Sequence, residues 1–503
     1  MTTATLDITL PLDDEAATRR LGEDLALALT AGDTLALQGD LGAGKSTLAR
    51  ALLRARADTP DLEVPSPTFT LIQTYELPRG PVAHADLYRL GDVSELAELG
   101  LEDLSAEGIL LVEWPDRAEG TLPGRIATIE LGIVTGTESR TVRIRAAGDL
   151  ARRLARTLAI RDFLKTAAWP RARRRFLQGD ASARAYERVF GGVGQAVLMN
   201  APRQPDGPPV RDGLPYSRIA HLAEDVRPFV AIGSALSRRG ISAPGLIAAD
   251  LDQGLLLLED LGAEPVVAEG APIPERYEAA IDLLAAFHTT PMPSTVPLPD
   301  GSTYALPGYD ARAMGIETEL LLDWYLPHAT GGRLPAEAEA AFKALWAELF
   351  TRLESAEQRW VLRDYHSPNL IWLPERAGIQ RVGVIDFQDA VIGPSAYDVA
   401  SLAQDARVTV PWEMEKALVD RYIALRTVAD PAFEADRFRD AYAIMAAQRA
   451  TKILGIFARL NHRDGKPAYL AHIPRVAAYL MRALENPVLS GLRRWYEQHL
   501  PDL

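Results

Sequence analysis

The sequence predicts an α/β domain followed by a larger, two-lobed α+β domain, and three observations support this order. From the N-terminus to about residue 150, short apolar runs typical of strands alternate with segments of helical periodicity. From about residue 176 to 263, strand-like segments separated by glycine dominate. From about residue 275 the pattern is mostly helical, with one hairpin at 369–386. The predicted domains are therefore 1–150, 151–263 and 264–503.

Composition limits what the 503-residue chain is expected to do. The formal net charge is −14, which gives no electrostatic reason to expect tight direct binding of nucleic acid. The chain has no cysteine, so disulfides, thiolate nucleophiles and thiolate metal sites are excluded. Neither a secretory signal nor an apolar run long enough to span a membrane is apparent, so we expect a cytoplasmic protein without membrane contact.

Within the first domain, strand-like and helix-like segments alternate and include a Gly-rich turn. An apolar run at 34–38 enters this turn, and residues 46–56 follow with helical spacing. Residues 109–112 are uninterrupted apolar, as expected for a strand buried on both faces. Residues 126–133 and 141–146 read as the two arms of a hairpin.

The Gly-rich turn reads GDLGAGKS and matches G-x-x-x-x-G-K-[ST], the phosphate-binding P-loop, between a strand and a helix. Gly39, Gly42 and Gly44 allow successive backbone N–H groups to surround an anion at the start of the helix. Lys45 is expected to pair with the β- and γ-phosphates of ATP, and the Ser46 hydroxyl to bind Mg²⁺.

Glu113 directly follows the buried run at 109–112, where a carboxylate on the Mg²⁺ side of the site is expected. By position alone it serves equally as a polar residue that ends a strand. Three further segments, SPTF at 66–69, HADLYRL at 84–90 and EWP at 113–115, accompany the P-loop in the same order.

Together these segments resemble the ATPase subunit of bacterial tRNA threonylcarbamoyladenosine synthesis, over about residues 8–150. The resemblance implies an ATPase that binds the other proteins of the complex that modifies the adenosine next to the anticodon, and that contacts tRNA only indirectly. It implies that Glu113 and Asp86 are catalytic-site carboxylates, Thr68 a switch residue near the γ-phosphate, and Trp114 a site or partner residue. His84 is assigned equally well to the site or to the core.

An arginine-rich run at 151–175 separates the two halves and is predicted to be helical. A solvated linker helix is the favoured interpretation, and contact with an anionic partner is the alternative. Each half is expected to fold on its own, because each has its own core and its own motifs.

The second set of candidate catalytic and metal-binding residues lies in RDYHSPNL at 363–370 and in the segment 382–387. Strand-like residues 370–373 and 382–385 predict a hairpin whose ends bring Asn369 and Asp386 together as oxygen ligands for Mg²⁺. Asp364 lies on the loop that leads to this hairpin, where it can accept a proton from a substrate hydroxyl. Asp398 is expected to cap or orient this loop.

These motifs, with GDASARAY at 179–186, AVLM at 196–199, LLLEDLG at 256–262 and IDFQDA at 385–390, resemble aminoglycoside-phosphotransferase-type kinases. More narrowly, they resemble the bacterial anomeric kinases of N-acetylmuramate and N-acetylglucosamine, over about residues 160–500. The resemblance implies that Gly179, Ser182 and Arg184 form a loop over ATP, and that Glu259 and Leu261 belong to the hinge that reads adenine.

One departure from general kinases is that residues 196–200 contain no lysine where the phosphate-pairing one is expected, and Arg184 or Arg188 is a candidate replacement. The full prediction is an α/β P-loop NTPase domain followed by a protein-kinase-like α+β domain, each using ATP and Mg²⁺. The first supports tRNA modification, and the second phosphorylates an amino sugar during peptidoglycan recycling. The alternative is a kinase of aminoglycosides or other small alcohols that carries a regulatory nucleotide-binding module.

Overall fold

The computed structural model describes residues 4–67, 70–177, 184–192 and 194–503. The chain forms two compact units, residues 1–200 with 255–257 and residues 201–254 with 258–503. Residues 151–200 therefore group with the N-terminal segment, whereas the sequence placed a boundary near 150. The predicted domain boundaries at 150 and 263 rest on the order of the motifs along the chain, and they stay predictions.

The first unit begins with a mixed sheet of seven strands in the order β1-β7-β6-β2-β5-β4-β3. The elements of this part, in chain order, are β1 Thr5–Leu12, α1 Glu15–Ala28, β2 Asp33–Gln38, α2 Lys45–Ala57, β3 Ile72–Tyr75, β4 Val82–Asp86, α3 Leu101–Glu107, β5 Ile109–Glu113, β6 Arg125–Ile133 and β7 Arg140–Ala147. Short 3-10 helices lie at Val93–Leu99 and Pro115–Ala118. The strand at 34–38, the helix after it and the hairpin of β6 and β7 confirm the sequence pattern.

Parallel pairing sets which residues meet at one edge of this sheet. Strand β5 pairs in parallel with both β2 and β4, and all five of its residues are buried. Leu37 and Asp86 both lie opposite Glu113 in register. The carboxyl ends of the three strands therefore converge next to the loop that follows β2.

Helix α1 packs closely on α2, the helix that follows the Gly-rich turn. A Cβ atom at Gly22 of α1 would lie 2.7 Å from the Leu48 carbonyl oxygen of α2, so only glycine permits this approach. The Asp14 side chain caps α1 by accepting from the Ala17 N–H at 2.6 Å. The P-loop helix is thereby fixed against α1.

The arginine-rich run differs from its prediction as one helix. Helix α4 spans Gly148–Thr166, and the arginines from 173 onward lie in strand β8, Arg173–Leu177. Pro170 disfavours helical backbone at Trp169, which separates the two elements. In the strand, neighbouring side chains point to opposite faces, so Arg174 is buried while Arg173 is exposed.

Arg174 belongs to a buried ionic group that we call the Asp24 cluster, formed by Asp24, Arg161, Arg174 and Glu187. Arg161 donates two hydrogen bonds to the Asp24 carboxylate, at 2.8 and 2.6 Å. Arg174 donates to Asp24 at 3.1 Å and to both carboxylate oxygens of Glu187 at 2.6 and 2.8 Å. The solvated-linker interpretation is therefore wrong for Arg161 and Arg174, which join α1, α4 and the strands beyond them.

Strands β8, β9 Ala185–Gly191 and β10 Gly194–Asn200 form an antiparallel meander, and residues 255–257 continue the sheet beside β10. Glu187 of β9 belongs to the Asp24 cluster, while Arg188 is opposite Val197 of β10 in register. Because α4 and β8 share buried partners with α1, residues 151–200 form one compact unit with the N-terminal sheet.

The second unit is mainly helical. Its helices are α5 Tyr216–Ile219, α6 Arg227–Arg238, α7 Pro274–Thr289, α8 Ala311–Thr318, α9 Leu326–Thr330, α10 Ala336–Leu353, α11 Ala396–Ala403, α12 Trp412–Ala429, α13 Ala435–His462, α14 Ile473–Ala483 and α15 Ser490–His499. Its strands are β11 Pro209–Arg211, β12 Leu214–Pro215, β13 Leu246–Asp250, β14 Leu255–Glu259 (from residue 258), β15 Val267–Ala268, β16 Ala271–Pro272, β17 Thr295–Pro297, β18 Thr303–Ala305, β19 Gln358–Val361, β20 Leu370–Trp372, β21 Val382–Val384 and β22 Val391–Pro394.

Helix α13 runs through the core of this unit, and its residues from Ala443 to Gly455 are all buried. Strands β20 and β21 pair antiparallel, with Leu370 opposite Val384, which confirms the predicted hairpin. No helix in the described part of the chain combines the length and the apolar character that crossing a bilayer requires.

Candidate functional sites

The loop between β2 and α2 has the backbone that its glycines allow. Gly39, Gly42 and Gly44 all have positive φ, at 136°, 80° and 108°. A Cβ atom at Gly39 would lie 2.3 Å from the Leu131 carbonyl oxygen, so a side chain is excluded there. The three predicted glycines therefore shape one turn that exposes backbone N–H groups at the start of α2.

Lys45, the first residue of α2, is folded back onto its own loop. Its Nζ donates to the carbonyl oxygens of Gly39 at 2.7 Å and Asp40 at 3.0 Å, and lies 4.0 Å from the centre of the Trp114 ring. Burial lowers the pKa of Lys45, although the carboxylates of Glu113 and Asp86 oppose this effect. The ammonium group is therefore held in the cleft by weak neutral acceptors that an anion can replace.

Glu113 links the end of β5 to the P-loop helix. Its Oε2 accepts from the Ser46 hydroxyl at 3.0 Å, and its Oε1 lies 3.1 Å from Nε2 of His84. The side chain is buried at the sheet edge that β2, β4 and β5 share. The structure thus brings Ser46 and Glu113 together, and it places His84 as the group that orients this carboxylate.

Asp86, at the end of β4, lies beside Glu113 in register. Its carboxylate accepts from the Tyr88 backbone N–H at 3.0 Å and from the Ser66 hydroxyl at 3.4 Å. A cleft of about 300 Å³ is lined by residues 41, 42 and 44–47 and by Ser66, Asp86, Tyr88, Glu113 and Trp114. Thr68 lies outside the described residues.

The second site is built on the loop before β20. Asn369 donates from Nδ2 to the Asp364 carbonyl oxygen at 2.9 Å, and the Asn369 carbonyl oxygen accepts from the Ile385 N–H at 3.0 Å. Asn369 and Asp386 therefore lie at the same end of the hairpin, as predicted from its two arms. In the described part of the chain, the Asp364 carboxylate has no hydrogen-bond donor of its own.

Asp386 lies just beyond the hairpin in left-handed backbone, with a φ of 58°. Its Oδ1 accepts from Nε2 of Gln388 at 2.8 Å. A non-glycine residue with positive φ is uncommon and costs free energy, so the surrounding structure must hold it there. Arg363, next to Asp364, has a φ of 68° as well.

Asp398, at the first turn of α11, holds the Asp364 loop through its backbone. Its two carboxylate oxygens accept from the N–H groups of Leu362 at 2.6 Å and Arg363 at 2.9 Å. Burial raises the pKa of Asp398 to about 7, although these two N–H groups favour the charged form. The predicted orienting role of Asp398 is confirmed by these contacts.

Sequence reasoning missed a buried network that anchors the Arg363 side chain. Arg363 pairs with Glu317 of α8, which also accepts from Lys452 of α13 at 3.2 Å and from Gln448 at 3.0 Å. Burial raises the pKa of Glu317, but the charges of Lys452 and Arg363 outweigh burial and lower it. No local pattern could identify these partners, because they lie 46 and 135 residues from Glu317 along the chain.

The predicted hinge residues lie at the end of β14 and just after it. The Glu259 carboxylate accepts from the Gly245 N–H at 3.1 Å and from Arg376 at 2.7 Å, so the side chain has a structural role. Leu261 packs over Gly383 of β21. Gly179 and Ser182 lie outside the described residues, and Arg184 directly precedes β9.

In the described part of the chain, neither site contains a ready-made cluster of metal ligands. Among residues 4–67, 70–177, 184–192 and 194–503, no group of three or more His, Cys, Asp and Glu side chains could hold an ion. Sites that bind Mg²⁺ with a nucleotide use one or two carboxylates plus the phosphates themselves. The pairs Ser46 with Glu113 and Asn369 with Asp386 fit that donor set.

The first fold and its cleft define a P-loop ATPase, and the second fold with its loop and hairpin defines a kinase-like phosphotransferase. A family model described as "Threonylcarbamoyl adenosine biosynthesis protein TsaE" matches residues 12–142, and one described as "Phosphotransferase enzyme family" matches residues 173–432. The chain belongs to the phosphotransferase enzyme family and carries, N-terminal to it, a member of the TsaE family.

Individual relatives agree with this division. The chain is 40% identical over 351 residues to the N-acetylmuramate/N-acetylglucosamine kinase of Caulobacter vibrioides, covering 67% of this chain and 95% of the relative. It is 37% identical over 321 residues to the Pseudomonas aeruginosa protein of the same name, covering 62% and 84%. It is 41% identical over 106 residues to the tRNA threonylcarbamoyladenosine biosynthesis protein TsaE of Aquifex aeolicus, covering 21% and 75%.

These comparisons confirm both resemblances drawn from the sequence, the two fold classes, and the expectation of an ATP-using phosphotransferase fused to an ATPase.

Proposed function

We propose that this chain is a bifunctional enzyme that hydrolyses ATP in support of tRNA threonylcarbamoyladenosine formation and phosphorylates N-acetylmuramate or N-acetylglucosamine at the anomeric hydroxyl. The observation that carries the kinase assignment is the likeness to an N-acetylmuramate/N-acetylglucosamine kinase over 95% of that protein's length, with Asp364, Asn369 and Asp386 on one loop and hairpin.

In the N-terminal site, Lys45 would leave the carbonyl oxygens of its own loop and pair with the β- and γ-phosphates. Ser46 and Glu113 would hold Mg²⁺, Ser46 directly and Glu113 from the side of β5. His84 orients Glu113, so its contact at 3.1 Å is a positioning interaction. Asp86, beside Glu113, is the candidate for orienting the attacking water. Other proteins of the tRNA-modification complex are the proposed partners, with tRNA reached through them.

In the C-terminal site, Asp364 is proposed to accept the proton of the sugar hydroxyl while Asn369 and Asp386 hold Mg²⁺. The bound ion would neutralise charge on the phosphates. Since the Asp364 carboxylate has no donor in the described residues, it is free to accept a hydrogen bond from a substrate. Asp398 holds the loop through its backbone N–H groups, and Glu317 holds it through the Arg363 side chain. Both contacts keep Asp364 in position.

The two activities are tested with a matched pair of variants. Lys45→Ala should abolish ATP hydrolysis at the first site, because the phosphate-pairing charge is lost, and leave sugar phosphorylation within a few-fold. Asp364→Asn should keep ATP binding and lower sugar phosphorylation by roughly 10²–10⁴-fold, the usual contribution of a general base. Loss of kinase activity in a folded Lys45→Ala protein would refute two independent sites.

The substrate is tested by offering N-acetylmuramate, N-acetylglucosamine and an aminoglycoside under the same conditions. We expect a sugar 1-phosphate, identified by phosphorus–carbon coupling at the anomeric carbon. Phosphate on another hydroxyl would contradict the anomeric assignment, and turnover of the aminoglycoside alone would contradict the amino-sugar assignment.

A further inference from the structure

A basic cavity in the first unit is used by neither proposed reaction. Its volume is about 400 Å³, and it lies between α1, α2 and the segment that leads into β8. Among the residues that the structure describes, eight arginines line it, against two carboxylates, Glu23 and Asp58. In a chain of net charge −14, this concentration of positive charge is a local exception.

Several of these arginines are already neutralised. Arg174 is fully buried in the Asp24 cluster. Arg173 donates two hydrogen bonds to one carboxylate oxygen of Glu23, at 2.8 and 2.5 Å. Arg175 lies 3.6 Å from Asp58, Arg19 lies 2.6 Å from Glu15, and Arg20 lies 3.8 Å from Asp14. These five residues form the wall of the cavity, and they do not account for its excess charge.

Three other arginines supply the excess. Arg50 and Arg54 of α2 each donate only from Nε, to the carbonyl oxygens of Val64 at 3.4 Å and Leu62 at 3.0 Å. Within the described ranges, their terminal guanidinium nitrogens have no acceptor, and Arg171 has neither a carboxylate nor a hydrogen-bond partner. Uncompensated guanidinium groups that meet in one concavity are a site for a compact anion, since each presents paired donors to phosphate oxygens.

We propose that this cavity, lined by Arg50, Arg54 and Arg171, binds a small ligand that carries two phosphate groups. The three positive charges of these arginines can balance the negative charge of two phosphate groups. The volume of about 400 Å³ suits a molecule of the size of a sugar bisphosphate or a diphosphate. Arg50 and Arg54 of α2 and Arg171, from the segment between α4 and β8, meet in one cavity. An extended polyanion such as RNA instead requires a long basic track, and the acidic remainder of the chain would repel it.

The test uses the full-length protein with both nucleotide sites saturated by a non-hydrolysable ATP analogue and Mg²⁺, so that further binding reports on another site. Inorganic pyrophosphate and a hexose 1,6-bisphosphate are titrated by calorimetry, and a ten-nucleotide RNA is titrated in parallel. We expect saturable binding of at least one of the two small probes. The better probe distinguishes a diphosphate ligand from a sugar bisphosphate.

Arg171→Ala is the main variant, because this residue is exposed and makes no hydrogen bond or ion pair within the described ranges. We expect it to weaken binding of the small probe roughly tenfold or more, the effect of losing one charge-assisted hydrogen bond. The double variant Arg50→Ala/Arg54→Ala should abolish binding. Arg493→Ala is the matched control, because it removes the same charge from an exposed ion pair in the other unit and should bind as the wild type does.

Three outcomes would overturn the proposal. One is the absence of saturable binding of either small probe. Another is binding that Arg171→Ala leaves unchanged. The third is an RNA affinity higher than that of both small probes and sensitive to the same substitutions, which would identify the cavity as part of a nucleic-acid surface instead.

Discussion

Asp24→Asn is expected to destabilise the first unit strongly, because it removes a charge from the centre of the Asp24 cluster while preserving side-chain shape. Asp24 is 2% exposed and accepts from Arg161 and Arg174, and the Arg174 side chain is 0% exposed. Breaking a buried pair by neutralising one partner costs about 3–5 kcal/mol, since the remaining charge stays buried. Glu187 still pairs with Arg174 in the variant, so Arg161 is the group left uncompensated.

Differential scanning calorimetry of the full chain measures this effect. For a unit of about 150–250 residues, each kcal/mol shifts the midpoint by roughly 2–4 °C, so the transition of the first unit should fall by about 6–20 °C. Asp7→Asn is the control, because its ion pair with Arg143 lies on the surface and the side chains are about half exposed. Equal midpoints for Asp24→Asn and the wild type would refute the reasoning, as would an equally large shift in the control.

Three further predictions concern the catalytic loop, the pH dependence and the division of the chain. Asp398→Asn should lower kcat of the kinase and leave its KM for ATP nearly unchanged, because the amide opposes one loop N–H with a donor; an unchanged kcat would show that this anchor does not position Asp364. Burial lowers the pKa of His288 to about 3, so its contribution to stability is present above pH 6.5 and is lost as the pH falls, by up to about 1.4 kcal/mol per pH unit. The free energy of unfolding of His288→Asn, measured by chemical denaturation, should therefore approach that of the wild type as the pH falls from 6.5 to 5. Parallel pH profiles of the two free energies would contradict this. A fragment of residues 152–503 lacks Asp24, so we expect it to unfold at a lower temperature than the full chain, contrary to the sequence-based expectation that each half folds on its own. Thermal unfolding followed by circular dichroism measures both midpoints, and equal midpoints would contradict this prediction.

The sequence alone predicted the centre of each candidate site, because the P-loop and the Asp364 loop with its hairpin are each formed by residues that are close along the chain. The P-loop needs only eight consecutive residues between a strand and a helix, and in the structure its glycines have positive φ. Asp364, Asn369 and Asp386 lie within one loop and one hairpin, and hairpin pairing is a local event. Glu113 also followed from a buried apolar run, although its contact with Ser46 required the sheet register.

Only the tertiary structure decided which charged residues are buried and what they contact. Glu317 and Lys452 look like ordinary residues of amphipathic helices until α8 and α13 pack against the Arg363 loop. Arginines in the run at 151–175 read as solvated, because composition does not reveal that Asp24, 137 residues before Arg161, lies beneath them. The basic cavity arises in the same way, from helices and a strand that are distant in sequence. Periodicity specifies which face of an element is polar, but the partner of that face is set by long-range packing, which local patterns do not encode.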